Sequence, residues 1–206
     1  MTATVDYYLA PNSPWTYLGH ERFMRIAADA GATVRFKPID LGKIFPVSGG
    51  LPLAKRPPQR KAYRLTELAR WRTHLGRPLT LHPKFFPVSV DKALRLLVAV
   101  DQGDGSAAAL DLAGRMLAAL WAQERDLADE GTLAELLEEG QLSGLRLVEA
   151  HARTVQAACE AHTQDAIEAG IFGAPSYVID GEIYWGQDRL DFVERRLARS
   201  DQKGTA

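Results

Sequence analysis

Ser13-Pro14-Trp15-Thr16 lies within PNSPWTYLG, residues 11–19, directly after a strand-like run and directly before a helix-like one. A serine followed by proline at such a junction suits the N-cap and N1 positions of a helix, where the missing proline N–H costs nothing. The first turn then presents unpaired N–H groups and the positive end of the helix dipole, a setting that favours an anion. For a thiolate held there, a hydroxyl hydrogen bond contributes about 1.5–3 kcal/mol in favourable cases. The dipole adds about 0.3–1 kcal/mol. At about 1.4 kcal/mol per pKa unit, and with sulfur a poor acceptor, a bound thiol is depressed by roughly one to two units. Taken alone, Ser-Pro reads as an ordinary helix start.

The sulfur for such chemistry cannot come from the chain's own dithiol. The single cysteine, Cys159, excludes an intramolecular disulfide and a Cys-x-x-Cys redox cycle, and its place on a helical segment reads as core packing. The five histidines (His20, His74, His82, His151, His162) show no metal-ligand spacing, so no metal site is expected. Lys plus Arg (25) nearly balance Asp plus Glu (26), and the net charge of −1 gives no electrostatic case for nucleic acid or an anionic membrane. No run of 18 apolar residues and no leader-like N-terminus is found, so the cytoplasm is the expected location. The partner class left is a small molecule or another protein.

The elements that must position Ser13 follow from periodicity. Residues 4–10, TVDYYLA, read as a strand ended by Pro11. Phe23, Ile26, Ala27 and Ala30 mark a helix from Pro14 to about Ala30, stopped by Gly31, and residues 32–39 alternate as a second strand. Residues 41–61 are punctuated by Gly and Pro and read as a loop with at most one helical turn. Helices then follow through Leu68, Trp71 and Leu75, through Val90, Ala93, Leu94 and Leu97, and through Leu110, Ala113, Leu117 and Trp121. Further helices are expected over 130–139 and 145–169. Strands return at 176–179 and 182–185 around Asp180-Gly181, a two-residue hairpin signal, and a last helix carries Leu190, Val193 and Leu197.

This β-α-β, helices, β-β-α order resembles a thioredoxin fold with an inserted all-helical domain, as in DsbA-like proteins. The segments DYYLAPNSPWTYLGHERF (6–23), KRPPQRKAYRLTELARWRTHLGRPL (55–79) and GIFGAPSYVIDGEIYWGQDRLDFVERRL (170–197) resemble those of the 2-hydroxychromene-2-carboxylate isomerase family, relatives of kappa-class glutathione transferases. The resemblance implies an α/β class, a thioredoxin-like unit of residues 1–48 and 162–206, and a helical unit of residues 49–161. It also implies glutathione as cofactor and a homodimer.

By the same resemblance Ser13 replaces the nucleophilic cysteine of the disulfide oxidoreductases and holds the glutathione thiolate. Pro175 is expected to be the cis-proline facing it, which leaves the Ala174 backbone to pair with the cysteinyl backbone of glutathione. Gln187 and Asp188 are expected to open the last helix and meet the γ-glutamyl end, Gln187 through its backbone N–H and Asp188 through its carboxylate; capping is the other task open to Asp188. Kappa-class relatives have Ser-Asp there, so the Gln187 side chain departs from their pattern. Among Lys55, Arg56, Arg60 and Lys61, Arg60 falls closest to the family's glutathione-binding basic residue, while a carboxylate substrate offers the whole loop a second task. The four tryptophans read as packing residues, with Trp15 also placed to line an aromatic pocket.

The expected activity is a glutathione-dependent isomerisation of 2-hydroxychromene-2-carboxylate or a related aromatic 2-oxo acid to the trans-benzylidenepyruvate. A kappa-like glutathione transferase or peroxidase keeps the same site with a different outcome. A non-catalytic binding module on the same scaffold is the third alternative.

Overall fold

A computed structural model describes residues 2–202, with side chains through residue 198. Strand β1 (Thr4–Leu9) runs into helix α1 (Pro14–Asp29) and returns as β2 (Thr33–Pro38), parallel to β1 with Tyr7 opposite Phe36. Ser13 is extended (φ −84°, ψ 123°), its side chain accepts the Thr16 N–H, and Pro14 occupies the first turn. The start of α1 is therefore the one its sequence predicts. Strands β3 (Ser176–Ile179) and β4 (Glu182–Trp185) complete a four-stranded sheet in the order β2-β1-β3-β4, with β3 antiparallel to both neighbours. Asp180 and Gly181 both take positive φ (52° and 81°) in the hairpin between them, as a tight two-residue turn requires.

Seven helices stand between β2 and β3: α2 (Leu41–Ser48), α3 (Pro58–Leu75), α4 (Asp91–Asp104), α5 (Ser106–Trp121), α6 (Glu130–Glu139), α7 (Leu145–Glu149) and α8 (Arg153–Glu168). Helix α9 (Leu190–Gln202) follows β4. Two expectations need correction. Residues 41–48 form a helix where a loop was expected: the Asp40 carboxylate accepts the Gly42 N–H, Gly49 closes the end in the left-handed region, and the helix carries Pro46 within it. The segment 145–169 is two helices, broken around Ala150–Ala152, because Ala150 caps α7 and the chain extends again at Ala152.

The sheet is covered on both faces. Val5, Tyr7 and Leu9 point to a large core shared with α1, α4, α5 and α9, in which Tyr7, Phe23 and Tyr177 pack ring against ring at 4.5–5.3 Å. Tyr8 and Ala10 point the other way, into a smaller cluster with Ile44 of α2, Ala166 of α8, Ile171 and Ala174. Alternation along one strand thus fixes which helices lie on which side. Leu190, Val193 and Leu197 are buried together, as the pattern of the last helix predicts. Among the described residues, no helix is long and apolar enough to cross a membrane.

Candidate active site

The N-terminus of α1 meets the loop before β3. Ser13 is 5% exposed, and its hydroxyl donates to the Ala174 carbonyl at 3.0 Å while accepting the Thr16 N–H at 3.2 Å. Its own N–H closes the turn onto the Ala10 carbonyl at 3.0 Å. The Ala174-Pro175 bond is cis, as the family resemblance implies. A second cis bond, Phe86-Pro87, carried no such expectation. It lies in the segment whose Val88 carbonyl accepts the Asn12 side-chain amide at 3.5 Å, so this segment reaches the residue next to Ser13.

The far end of the expected glutathione site is tied to the same loop. The Pro175 carbonyl accepts the Gly186 N–H at 2.9 Å, and Gly186 takes φ 99°, a conformation that only glycine adopts without strain. Gln187 and Asp188 then fall in a 3-10 turn (Gln187–Arg189) that leads into α9, not in the helix itself. The Gln187 side chain turns inward: it is 1% exposed and its carbonyl oxygen accepts from Arg22 at 3.1 Å. Gly19 of α1 makes room for it, since a Cβ there would lie 2.7 Å from the Gln187 Cβ. The residue as a whole is buried, and its backbone carbonyl also accepts from Arg22 at 3.4 Å, so the turn holds Gln187 as part of the fold. Asp188 is exposed and pairs with its neighbour Arg189 at 2.9 Å.

The basic residues of the loop before α3 divide. The Lys61 ammonium donates to the Ala54 carbonyl and the Arg56 guanidinium to the Leu51 carbonyl, both at 2.8 Å, so each folds its own loop. Arg56 also lies over the Phe45 ring at 5.9 Å. Lys55 and Arg60 are exposed, Arg60 in the first turn of α3. Arg64, one turn further on, is a residue the sequence reading passed over. Its guanidinium is half-buried over the rings of Phe86 (5.4 Å) and Trp121 (5.7 Å). The signal was present: Arg64, Leu68, Trp71 and Leu75 follow helical spacing, which puts a charge in a core-facing stripe.

Two titratable groups packed within the fold are held neutral. The buried His20 ring lies between the Tyr7 hydroxyl (3.1 Å) and the Leu110 carbonyl (3.0 Å), and burial pushes its pKa down to about 4. With the Nε2 proton on Leu110, the Nδ1 lone pair accepts from Tyr7. Cys159, partly buried on α8, has its thiol pushed up to about 11 by burial, which suits a packing role and leaves no nucleophile there.

A family model described as a DSBA-like thioredoxin domain matches residues 4–198. The chain is 30% identical over 199 residues to a 2-hydroxychromene-2-carboxylate isomerase of Pseudomonas putida, covering 95% of this chain and 94% of that one. The chain belongs to the 2-hydroxychromene-2-carboxylate isomerase family of DsbA-like thioredoxin-fold proteins. A solved structure of a 2-hydroxychromene-2-carboxylate isomerase shares the fold, with a TM-score of 0.80 at 24% identity over 98% of this chain and 100% of the other. Glutathione S-transferase kappa 1 of Caenorhabditis elegans is a more distant relative, 27% identical over 65% of this chain and 60% of that one. Membership in this isomerase family supports an enzyme of the isomerase class on a DsbA-like scaffold.

Proposed function

We propose that the protein is a glutathione-dependent isomerase of 2-hydroxychromene-2-carboxylate or a related aromatic 2-oxo acid. The observation that carries this reading is the Ser13 hydroxyl at the start of α1, 3.0 Å from the Ala174 carbonyl. A small, neutral donor stands where an oxidoreductase would need a thiol, and the helix N–H groups around it suit a thiolate brought in by a ligand. The donor set fits glutathione: Ser13 for the sulfur, the Ala174 backbone for the cysteinyl unit, the Gln187 N–H and Asp188 carboxylate for the γ-glutamyl end, and Arg60 for a carboxylate.

Glutathione, when bound, supplies a nucleophile for reversible addition to the conjugated double bond, which frees that bond to rotate and returns the thiol unchanged. Ser13 prepares the site by giving up the Ala174 carbonyl to an incoming N–H and turning its proton toward the sulfur. The Thr16 N–H, already within 3.2 Å of the Ser13 oxygen, keeps the hydroxyl in place as it turns. The helix start lowers the cost of negative charge, and the basic residues of α3 orient the substrate carboxylate. In this reading the thioredoxin-like unit of residues 1–48 and 162–206 holds most of glutathione, Arg60 reaches it from the helical unit of residues 49–161, the rest of that unit walls the substrate, and the enzyme is a cytoplasmic homodimer.

Titration calorimetry of the wild type and Ser13→Ala with glutathione, with ultraviolet difference spectra near the thiolate band, tests the site. Binding with a thiolate signal at neutral pH that Ser13→Ala loses supports the reading; absence of glutathione binding by the wild type sinks it. The kappa-class relative favours a second outcome on the same site, glutathione transfer. An ultraviolet assay separates the two, because isomerisation consumes no glutathione and transfer does.

A further inference from the structure

Half-buried arginines in this fold are matched by acceptors. Arg125 meets Glu135 and Glu139, and Arg146 meets Asp104 and Glu149. Arg64 is the exception: among the described residues no carboxylate or carbonyl pairs with its guanidinium, which lies only against the faces of Phe86 and Trp121. Ring faces attract a cation but satisfy none of its five N–H donors. Burial and, after it, repulsion from Arg56 bring the Arg64 pKa down to about 10. Stacking on the rings leaves the hydrogen-bonding edge of the guanidinium without a protein acceptor among the described residues. A leucine in its place would continue the stripe of Leu68, Trp71 and Leu75.

The position of Arg64 supplies a reason. Phe86, on which the guanidinium rests, is two residues from Val88, and the Val88 carbonyl holds the side chain of Asn12, the neighbour of Ser13. The guanidinium therefore rests on the same segment whose Val88 carbonyl reaches Asn12, and it lies within one helical turn of the exposed Arg60. Aromatic faces beneath it fix its plane, and the fork of a fixed guanidinium matches a carboxylate through two parallel hydrogen bonds.

We propose that Arg64 is the specificity residue for the substrate: it grips the carboxylate of an aromatic acid while the ring of that acid lies beside Phe86. The assignment rests on the proposed reading of an aromatic carboxylate substrate, but it concerns binding and can fail or hold separately from turnover. It separates the two anionic ends of the reaction, with Arg60 left to glutathione and Arg64 to the substrate.

The probes are trans-cinnamate and its neutral amide, titrated into wild type, Arg64→Met and Arg64→Lys in the presence of saturating glutathione, with glutathione titrated separately. Methionine keeps the unbranched bulk on Phe86 and Trp121, and melting curves confirm that the variant is folded. Wild type is expected to prefer cinnamate over the amide by roughly 10- to 100-fold, the range for a hydrogen bond to a charged group. Arg64→Met loses that preference, Arg64→Lys keeps part of it, and both bind glutathione as wild type does. A wild type that does not distinguish acid from amide, or an Arg64→Met that still does, overturns the proposal. So does a loss in Arg64→Met that falls on glutathione instead of cinnamate. If the preference for the acid behaves as expected but wild type turns over no 2-hydroxychromene-2-carboxylate, the isomerase reading fails and the Arg64 assignment stands.

Discussion

The Ser13 hydroxyl spends its proton on the Ala174 carbonyl, 3.0 Å away, and its lone pair on the Thr16 N–H. One side chain thus joins the start of α1 to the loop before β3. Ser13→Ala removes both bonds and is expected to cost about 0.5–2 kcal/mol of stability, the range for a lost N-cap, as read by urea denaturation. The same variant is expected to lose the thiolate band of bound glutathione. A variant that matched wild type in both measurements would leave Ser13 without a role.

Gly19 packs so closely on the 3-10 turn that alanine cannot enter without displacing Gln187, whose Cβ would be 2.7 Å away, or the Tyr177 hydroxyl at 3.2 Å. Overpacking of this kind costs about 1–3 kcal/mol. Gly19→Ala is therefore expected to lower the melting temperature and, by shifting the Gln187–Asp188 backbone, to weaken glutathione binding. Unchanged affinity in a destabilised variant would show that the turn does not touch the ligand.

His20 makes stability depend on pH in a definite direction. Its folded pKa of about 4 lies below the ordinary value of 6.5, so above pH 6.5 the ring is neutral in both states and contributes no slope. Between pH 6.5 and about 4 the unfolded chain takes up a proton that the folded one refuses, and stability falls by about 1.4 kcal/mol for each pH unit from this group. His162, also depressed by burial, adds in the same sense. His20→Gln is expected to melt with a flatter pH dependence than wild type over that window. A parallel dependence would mean that His20 takes up its proton equally readily in the folded and unfolded states.

The thiol of Cys159, held near pKa 11, is expected to react with a disulfide reagent at pH 8 far more slowly than a free cysteine does. In Ser13→Cys the new thiol at the helix start is expected to react first. Equal rates for the wild type and the variant would remove the argument that this helix start favours a thiolate.

The frame was legible because its signals are local. Ser13-Pro14 announces α1, Asp180-Gly181 announces the hairpin, and the spacing of Leu190, Val193 and Leu197 announces α9. Helix α2 was hidden because its evidence lies outside its own residues: Asp40 caps it from before, and its buried Ile44 depends on Tyr8 and Ala166 across the fold. The inward turn of Gln187 was hidden for a similar reason, since the space it fills is opened by Gly19, far away in sequence. Arg64 shows the converse. Its place in an apolar stripe was visible, but the rings that receive it come from the 83–90 segment and from the end of α5, and only the tertiary fold brings them together.

The hydrogen bond from the Gly186 N–H to the Pro175 carbonyl clasps the two legs of the β3–β4 hairpin at their open end. It fixes the span between the Ala174 backbone and the Gln187–Asp188 turn, so the pair acts as a ruler for the proposed thiol ligand. On the proposed reading, the cysteinyl and γ-glutamyl ends of the ligand would both rest on this one clasped hairpin.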